Sequence, residues 1–323
     1  MTPDIRAVFF LLAATLLPGS LAHAQIKALL LTSPGIYHDY AYQSQAITSA
    51  LAGNIHIQFD VSLADTARWQ QADFARDYDV IIYNICMADN SDAALIGNLR
   101  RQTEALRIPA IVLHCAMHSF RTTDLWWPLH GLQTTAHESI GEIEQQQVVR
   151  HPILTGIPSP WRIAHDELYI NLAFQGSALL QATGEDGAQH VTAWIHRAGD
   201  TRLFGTTLGH STATIDDPAY QRLLTNAVLW VTGNLNQDGS ARTGLAPNST
   251  TPAIGQFLAA PGAAYLTDDD RSCMRWEMGK AVGPCLAGCT LNPLAWGDEA
   301  DACRAQCFTA LPTNAELMAR CAP

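Results

Sequence analysis

Four short segments, far apart in the chain, set imidazole or carboxylate groups beside small or aromatic residues. They are Gly35-Ile36-Tyr37-His38-Asp39-Tyr40, Leu113-His114-Cys115-Ala116-Met117-His118, His165-Asp166-Glu167-Leu168-Tyr169 and Thr206-Thr207-Leu208-Gly209-His210. Groups of these types move protons near neutral pH, bind hydroxyls or ligate transition-metal ions. The candidate catalytic groups are His38, His114, Glu167 and His210, with Glu167 as a general base. Tyr37, His118, Asp166 and Tyr169 are the candidate substrate-binding groups. His114 and His118 are four apart, so a helix beginning at 115 would let both face one divalent ion such as zinc. A third ligand would then come from His38, Glu167 or His210, and His114, His118 and His210 are the leading metal candidates. Asp166 and Glu167 are adjacent and point to opposite sides of an extended segment. Only one of them then enters a shared crevice, and Asp166 is the one free to cap a turn. Tyr37, Tyr169 and the Trp126-Trp127 pair offer flat faces suited to a sugar, or to ordinary core packing.

Cys115 raises a different chemistry. A thiol just after a strand-like run can be a nucleophile if a nearby base, His118 or His210, raises its thiolate fraction. The glycines that flank a tight nucleophile elbow are absent, since His114 and Met117 occupy the neighbouring positions. The alternative is a buried, inert cysteine.

These segments need a scaffold that brings them together. Residues 26–32 form an apolar run bounded by Ser33-Pro34-Gly35, as for a buried parallel strand. A helix over 41–52 carries Ala46, Ile47, Ala50 and Leu51 on one face. Strands follow at 56–61, 79–84 and 109–114, with a helix at 92–106 capped by Ser91. Residues 121–165 read as loop-rich. Two strands, 189–196 and 201–207, meet at Ala198-Gly199-Asp200, and a helix over 220–231 ends before Gly233. Alternating strands and helices predict a doubly wound, mostly parallel α/β sheet. Side chains past the carboxyl ends of such strands converge on one crevice, and three of the four segments follow or end a strand-like run.

The chain has 323 residues, 48% of them hydrophobic and 15% charged, which is ample for a large core. Its net charge of −11 is the opposite of a nucleic-acid binder's footprint and does not suit an anionic membrane surface. Residues 1–24 read as a secretory signal: Arg6, an apolar run to Leu17, then Ala22-His23-Ala24 as a cleavage pattern. A periplasmic or secreted location follows, with no later membrane span. Residues 25–233 form the main domain, 234–262 a linker rich in Asn, Gly, Ser, Thr and Pro, and 263–323 a small disulfide-rich helical module. Six of the eight cysteines lie between Cys273 and Cys321. If two short helices there pack antiparallel, nested bridges Cys289–Cys303, Cys285–Cys307 and Cys273–Cys321 fit. Six cysteines allow 15 pairings, and the sequence does not choose among them.

Taken together, the segments resemble the ThuA-like (trehalose utilisation) family, from about Ile26 to Gly233. The resemblance rests on Tyr37-His38, Leu113-His114 with Ser119-Phe120, His151-Pro152-Ile153 and Asp166-Glu167-Leu168-Tyr169. Trp194, Arg202-Leu203-Phe204, Thr207-Leu208-Gly209-His210, Asn226 and Trp230 complete it. It implies a flavodoxin-like sheet, similar to class I glutamine amidotransferases, and a link to sugar metabolism. The amidotransferase nucleophile pattern is missing here, so glutaminase activity is not expected. The leading expectation is a protein that processes or binds a small carbohydrate, such as an oxidised sugar, as a hydrolase or lyase with metal assistance. The alternatives are a non-catalytic sugar-binding protein and a Cys115-dependent hydrolase.

Overall fold

The computed structural model describes residues 25–33 and 38–245. The expected signal segment at 1–24, Tyr37, the linker beyond Leu245 and the cysteine-rich module with its three bridges lie outside the described residues.

In chain order the first elements are β1 (Ile26–Thr32), α1 (Tyr40–Asn54), β2 (Ile57–Leu63), α2 (Thr66–Trp69), β3 (Val80–Asn84), α3 (Ala93–Glu104) and β4 (Ala110–Leu113). A middle section holds α4 (Trp127–His130), β5 (Leu132–Gln133), β6 (Gly141–Gln147), β7 (Trp161–Asp166) and β8 (Ala173–Phe174). Last come β9 (Ser177–Thr183), β10 (Gln189–Ala198), β11 (Thr201–Thr206), α5 (Thr212–Asp216) and α6 (Pro218–Val231). Nine strands form one sheet in the order β2-β1-β3-β4-β11-β10-β9-β6-β7, and β5 pairs with β8. The β2-β1-β3-β4-β11 half is parallel throughout. From β11 onward, β10, β9, β6 and β7 pair antiparallel. The parallel expectation therefore holds for half of a larger mixed sheet.

Strands β1, β3 and β4 read as near-continuous apolar runs because both of their faces are covered. Ala28, Leu30, Val80 and Ile82 join a core beneath α1 and α6, which contribute Ile47, Leu51, Leu223, Ala227 and Val228. Leu29, Leu31, Ile81 and Tyr83 point the other way, onto Leu95, Ile96 and Leu99 of α3, and Trp69 and Trp126. Each long helix opens on an aspartate. Asp39 accepts from Tyr42 N, Asp92 from Ala94 N and Leu95 N, and Asp217 from Ala219 N and Tyr220 N. The cap of α3 is thus Asp92, one residue beyond the expected Ser91.

The loop-rich reading of 121–165 is corrected: β6 and β7 lie within it and extend the sheet. The chain also stays packed past Gly233. Leu235 bridges to Ala241, His56 N donates to Leu245 O at 2.7 Å, and Leu245 is buried.

Candidate functional site

His114 immediately follows β4 and has φ +44°. Positive φ is costly for a residue with a Cβ and clusters at functional sites. A strained turn therefore does follow the strand here, and it presents imidazole rather than thiol. A short 3-10 turn over His114–Ala116 follows in place of the helix that would align His114 with His118.

The backbone fixes the His114 ring. Its Nδ1 lies 2.7 Å from Thr207 O, and a carbonyl can only accept. Nδ1 therefore carries the proton, and in the neutral ring Nε2 keeps its lone pair. Around that lone pair stand His38 Nε2 at 2.9 Å, Tyr169 Oη at 3.3 Å and Glu167 Oε2 at 3.4 Å. If His38 donates to it through Nε2–H, the His38 Nδ1 lone pair is left buried, where no hydrogen-bond partner among the described residues meets it. The other Glu167 oxygen, Oε1, faces His210 Nδ1 at 3.2 Å and His137 Nε2 at 3.6 Å. The His210 contact is close but lacks the alignment of a hydrogen bond. Donor atoms of His38, His114, Glu167 and His210 all lie within 4.8 Å of one another. Three imidazoles and one carboxylate are a zinc-type donor set. The carbonyl behind His114 is the orienting partner such a ligand ordinarily has.

The electrostatics follow from this crowding. Burial, then the nearby His114 and His210, lower the His38 pKa to about 3, so its ring is neutral. Burial works to raise Glu167, but contacts with His114 and His210 outweigh it and hold the carboxyl well below the ordinary range. Glu167 raises His210 above the usual imidazole value, against burial. Burial, aided by the Glu167 charge, pushes the Tyr169 hydroxyl far up, so it is a protonated donor.

Positioning comes from residues behind these groups. Asp166, the last residue of β7, is fully buried. Its Oδ1 accepts from Glu167 N at 2.8 Å and His210 N at 3.1 Å, and its Oδ2 from Gly209 N at 2.9 Å. Three strands separate β7 from β11 in the sheet order, yet this carboxylate ties their ends together. Gly209 has φ +123°, and a Cβ there would lie 2.8 Å from Tyr220 Oη. Gln43 of α1 donates to Gly209 O and accepts from Asn84 Nδ2, joining the His210 loop to the end of β3.

The remaining sequence candidates fall elsewhere. His118 is stacked flat on Tyr169, centroids 4.0 Å apart, with Nε2 on Thr134 Oγ1 at 3.2 Å. It is outside the four-donor cluster, and burial lowers its pKa to about 3. Asp166 faces backbone amides rather than the crevice. Trp126 is a core residue packed on Tyr83 and Phe120, not a sugar platform. Cys115 is bonded to Cys86, with Cα atoms 5.0 Å apart. In that state it has no thiolate, and the Cys115-dependent hydrolase reading is corrected.

Sequence reasoning missed His137 and Gln43, and it named Thr207 without its role as the carbonyl behind His114. His137 pairs with Tyr169 across an isolated bridge and sits partly exposed at the mouth of the cluster. Gln43 had a signal: it lies four residues before Ile47 and seven before Ala50, a polar group on the apolar face of α1.

A half-parallel α/β sheet with its polar cluster beyond the strand ends defines a flavodoxin-like fold, similar to that of class I glutamine amidotransferases, in which Cys115 is disulfide-bonded rather than free. Residues 27–231 match the model of the ThuA family, described as trehalose utilisation, and the chain belongs to that family. Among solved structures it is similar to a ThuA-like protein from Parabacteroides merdae ATCC 43184 (TM-score 0.54, 16% identity, 70% of this chain and 98% of that one). A ThuA-like protein from Bacteroides uniformis ATCC 8492 is similar too (TM-score 0.53, 16% identity, with the same 70% and 98% coverage). No curated protein matches the chain. Family membership implies a carbohydrate-related function.

Proposed function

We propose that this protein processes a small carbohydrate at a divalent metal ion, such as zinc, held by His38, His114, Glu167 and His210. One observation carries the reading: four donor atoms from remote segments converge within 4.8 Å, with the His114 lone pair aimed inward by the Thr207 carbonyl. The family adds the substrate class.

A bound divalent ion supplies Lewis acidity toward a sugar carbonyl or hydroxyl oxygen. The chain's own groups do the rest. Ionised Glu167, which would help hold the ion, is also placed to accept a proton within the crevice. Tyr169 donates a hydrogen bond from its protonated hydroxyl toward the same centre. His137, partly exposed and 3.6 Å from Glu167, is placed to exchange that proton with solvent. The same proposal takes the protein to be exported to the periplasm or exterior, because residues 1–24 have a signal-like pattern and the Cys86–Cys115 bond suits an oxidising compartment.

Metal analysis of the purified, oxidised full chain tests the reading, combined with calorimetric titration of keto-sugars and disaccharides. One equivalent of metal is expected, lost in His114→Ala and in Glu167→Gln, with sugar binding weakened at least tenfold in both. Substoichiometric metal that does not rise on zinc addition would remove the metal. Intact metal with no sugar bound would remove the carbohydrate. Sugar bound but never turned over would leave a binding protein.

A further inference from the structure

Beside the four-donor cluster lies a second group of ligating atoms. One ring nitrogen of His38 and the sulfurs of Cys86 and Cys115 also lie within 4.8 Å of one another. We propose that Cys86, Cys115 and His38 form a thiolate metal site that opens when the Cys86–Cys115 disulfide is reduced, and that it takes a soft divalent ion such as Cd2+ or Zn2+. This goes beyond the reading above and does not require the four-donor cluster to hold metal.

The fold holds the two cysteines in place without the disulfide. Cys86 lies two residues past β3, and its N–H donates to Ser33 Oγ at 2.9 Å. Cys115 sits in the turn after β4, and its carbonyl accepts from His118 N and Ser119 N, both at 3.0 Å. Met87 N donates to Ser119 Oγ, closing a second link between the two strand ends. Since β3 and β4 are adjacent parallel strands, the two cysteines stay neighbours after the S–S bond breaks. Two thiolates on a tetrahedral ion with bonds of about 2.3 Å lie about 3.8 Å apart, a small separation from bonded contact. His38 has nitrogen to offer: its Nε2 faces His114, and its Nδ1 is buried without a hydrogen-bond partner among the described residues. Two thiolates neutralise a divalent charge in a partly buried place, where a net charge would be costly. Sulfur also selects softer ions than the carboxylate and imidazoles next door.

A dithiol is the electron donor for the reduction. Its first thiolate attacks the half-buried Cys86 sulfur, forming a mixed disulfide and freeing Cys115. Its second thiol then displaces Cys86 and closes the donor's own disulfide. Two electrons and two protons pass to the protein, giving two cysteine thiols. Each thiol releases its proton to solvent when its sulfur binds the ion. His38 then belongs to both clusters, so reduction draws it from the oxygen and nitrogen set toward sulfur.

Alkylation of the full chain, mapped peptide by peptide with iodoacetamide, tests this and reads Cys86 and Cys115 separately from the six tail cysteines. The untreated protein should show no labelling at Cys86; labelling there would overturn the disulfide. After anaerobic reduction by a dithiol and its removal, Cys86 should label, and Cd2+ should slow that labelling at least tenfold. Equal rates with and without Cd2+ in the wild-type chain would overturn the site. His38→Gln should remove most of the protection at Cys86 while leaving that at the tail cysteines unchanged; full protection in His38→Gln would overturn the role of His38. Metal content of the oxidised chain, the readout for the proposed function, is unaffected by either result.

Discussion

Asp166 acts on the site through the backbone. Its two oxygens accept from three N–H groups, those of Glu167, Gly209 and His210, in a fully buried place. Asp166→Asn keeps the shape but turns an NH2 toward N–H donors. The loss should be about 1–3 kcal/mol of stability, seen in urea denaturation, together with weaker metal retention, because Glu167 and His210 are its direct dependents. Unchanged stability would mean that the loop closes without it. His130 makes a pH-dependent case. It is fully buried between Trp126 and Trp194, and neither ring nitrogen meets a partner among the described residues. Burial lowers its pKa to about 3, against about 6.5 in an unfolded chain. Between those values the unfolded chain binds a proton that the folded chain does not, so stability falls as pH drops. His130→Leu removes that term. Its urea midpoint should fall less than the wild type's between pH 7 and pH 5; parallel declines would show that His130 titrates normally.

At the scale of elements, what the sequence revealed follows from burial. Strands β1, β3 and β4 were legible because both faces are covered and nearly every position is apolar, Lys27, Thr32 and Asn84 aside. His114, Glu167 and His210 were legible because each stands just past such a run or at a strand end. The loops hid what lies behind them. Strand β6 buries only Ile143 and Gln145, and Gln145 is held by Thr192, so its polar letters mimic a loop. His137 pairs with Tyr169 through a bridge too short to leave a pattern. Several family-marking residues turn out to be braces. Asn226 donates to Ile153 O and Thr155 O, and Trp230 packs between His151 and Arg202. Gly205 of β11 is opposite Trp194 of β10, where a Cβ would overlap the indole, whose Nε1 donates to His130 O at 2.7 Å. Gly205→Ala should cost about 1–3 kcal/mol through overpacking. Chemical denaturation checks this, and a neutral result would mean that Trp194 can tilt without loss.

For the whole molecule, the proposed ligands join parts of the chain that are otherwise connected only through the sheet. His38 follows β1, His114 follows β4, Glu167 follows β7 and His210 follows β11. His38 and His114 alone are 76 residues apart in sequence. No such cluster survives unfolding, so an ion that binds here binds the folded state and stabilises the whole domain. At a free zinc concentration one hundred times the dissociation constant, linkage gives about 2.7 kcal/mol. For a domain of this size that is a rise in melting midpoint of roughly 5–10 °C. The oxidised chain is the proper sample, since reduced tail cysteines would bind zinc in the unfolded state and shrink the effect. The rise should vanish on chelation and be largely lost in His114→Ala and Glu167→Gln. It should persist in His118→Ala, because His118 faces Thr134 rather than the cluster. Equal rises in His114→Ala and the wild type would place the ion elsewhere. A midpoint that zinc leaves unchanged would mean that these four strand ends are held by the Asp166 and Gln43 hydrogen bonds alone.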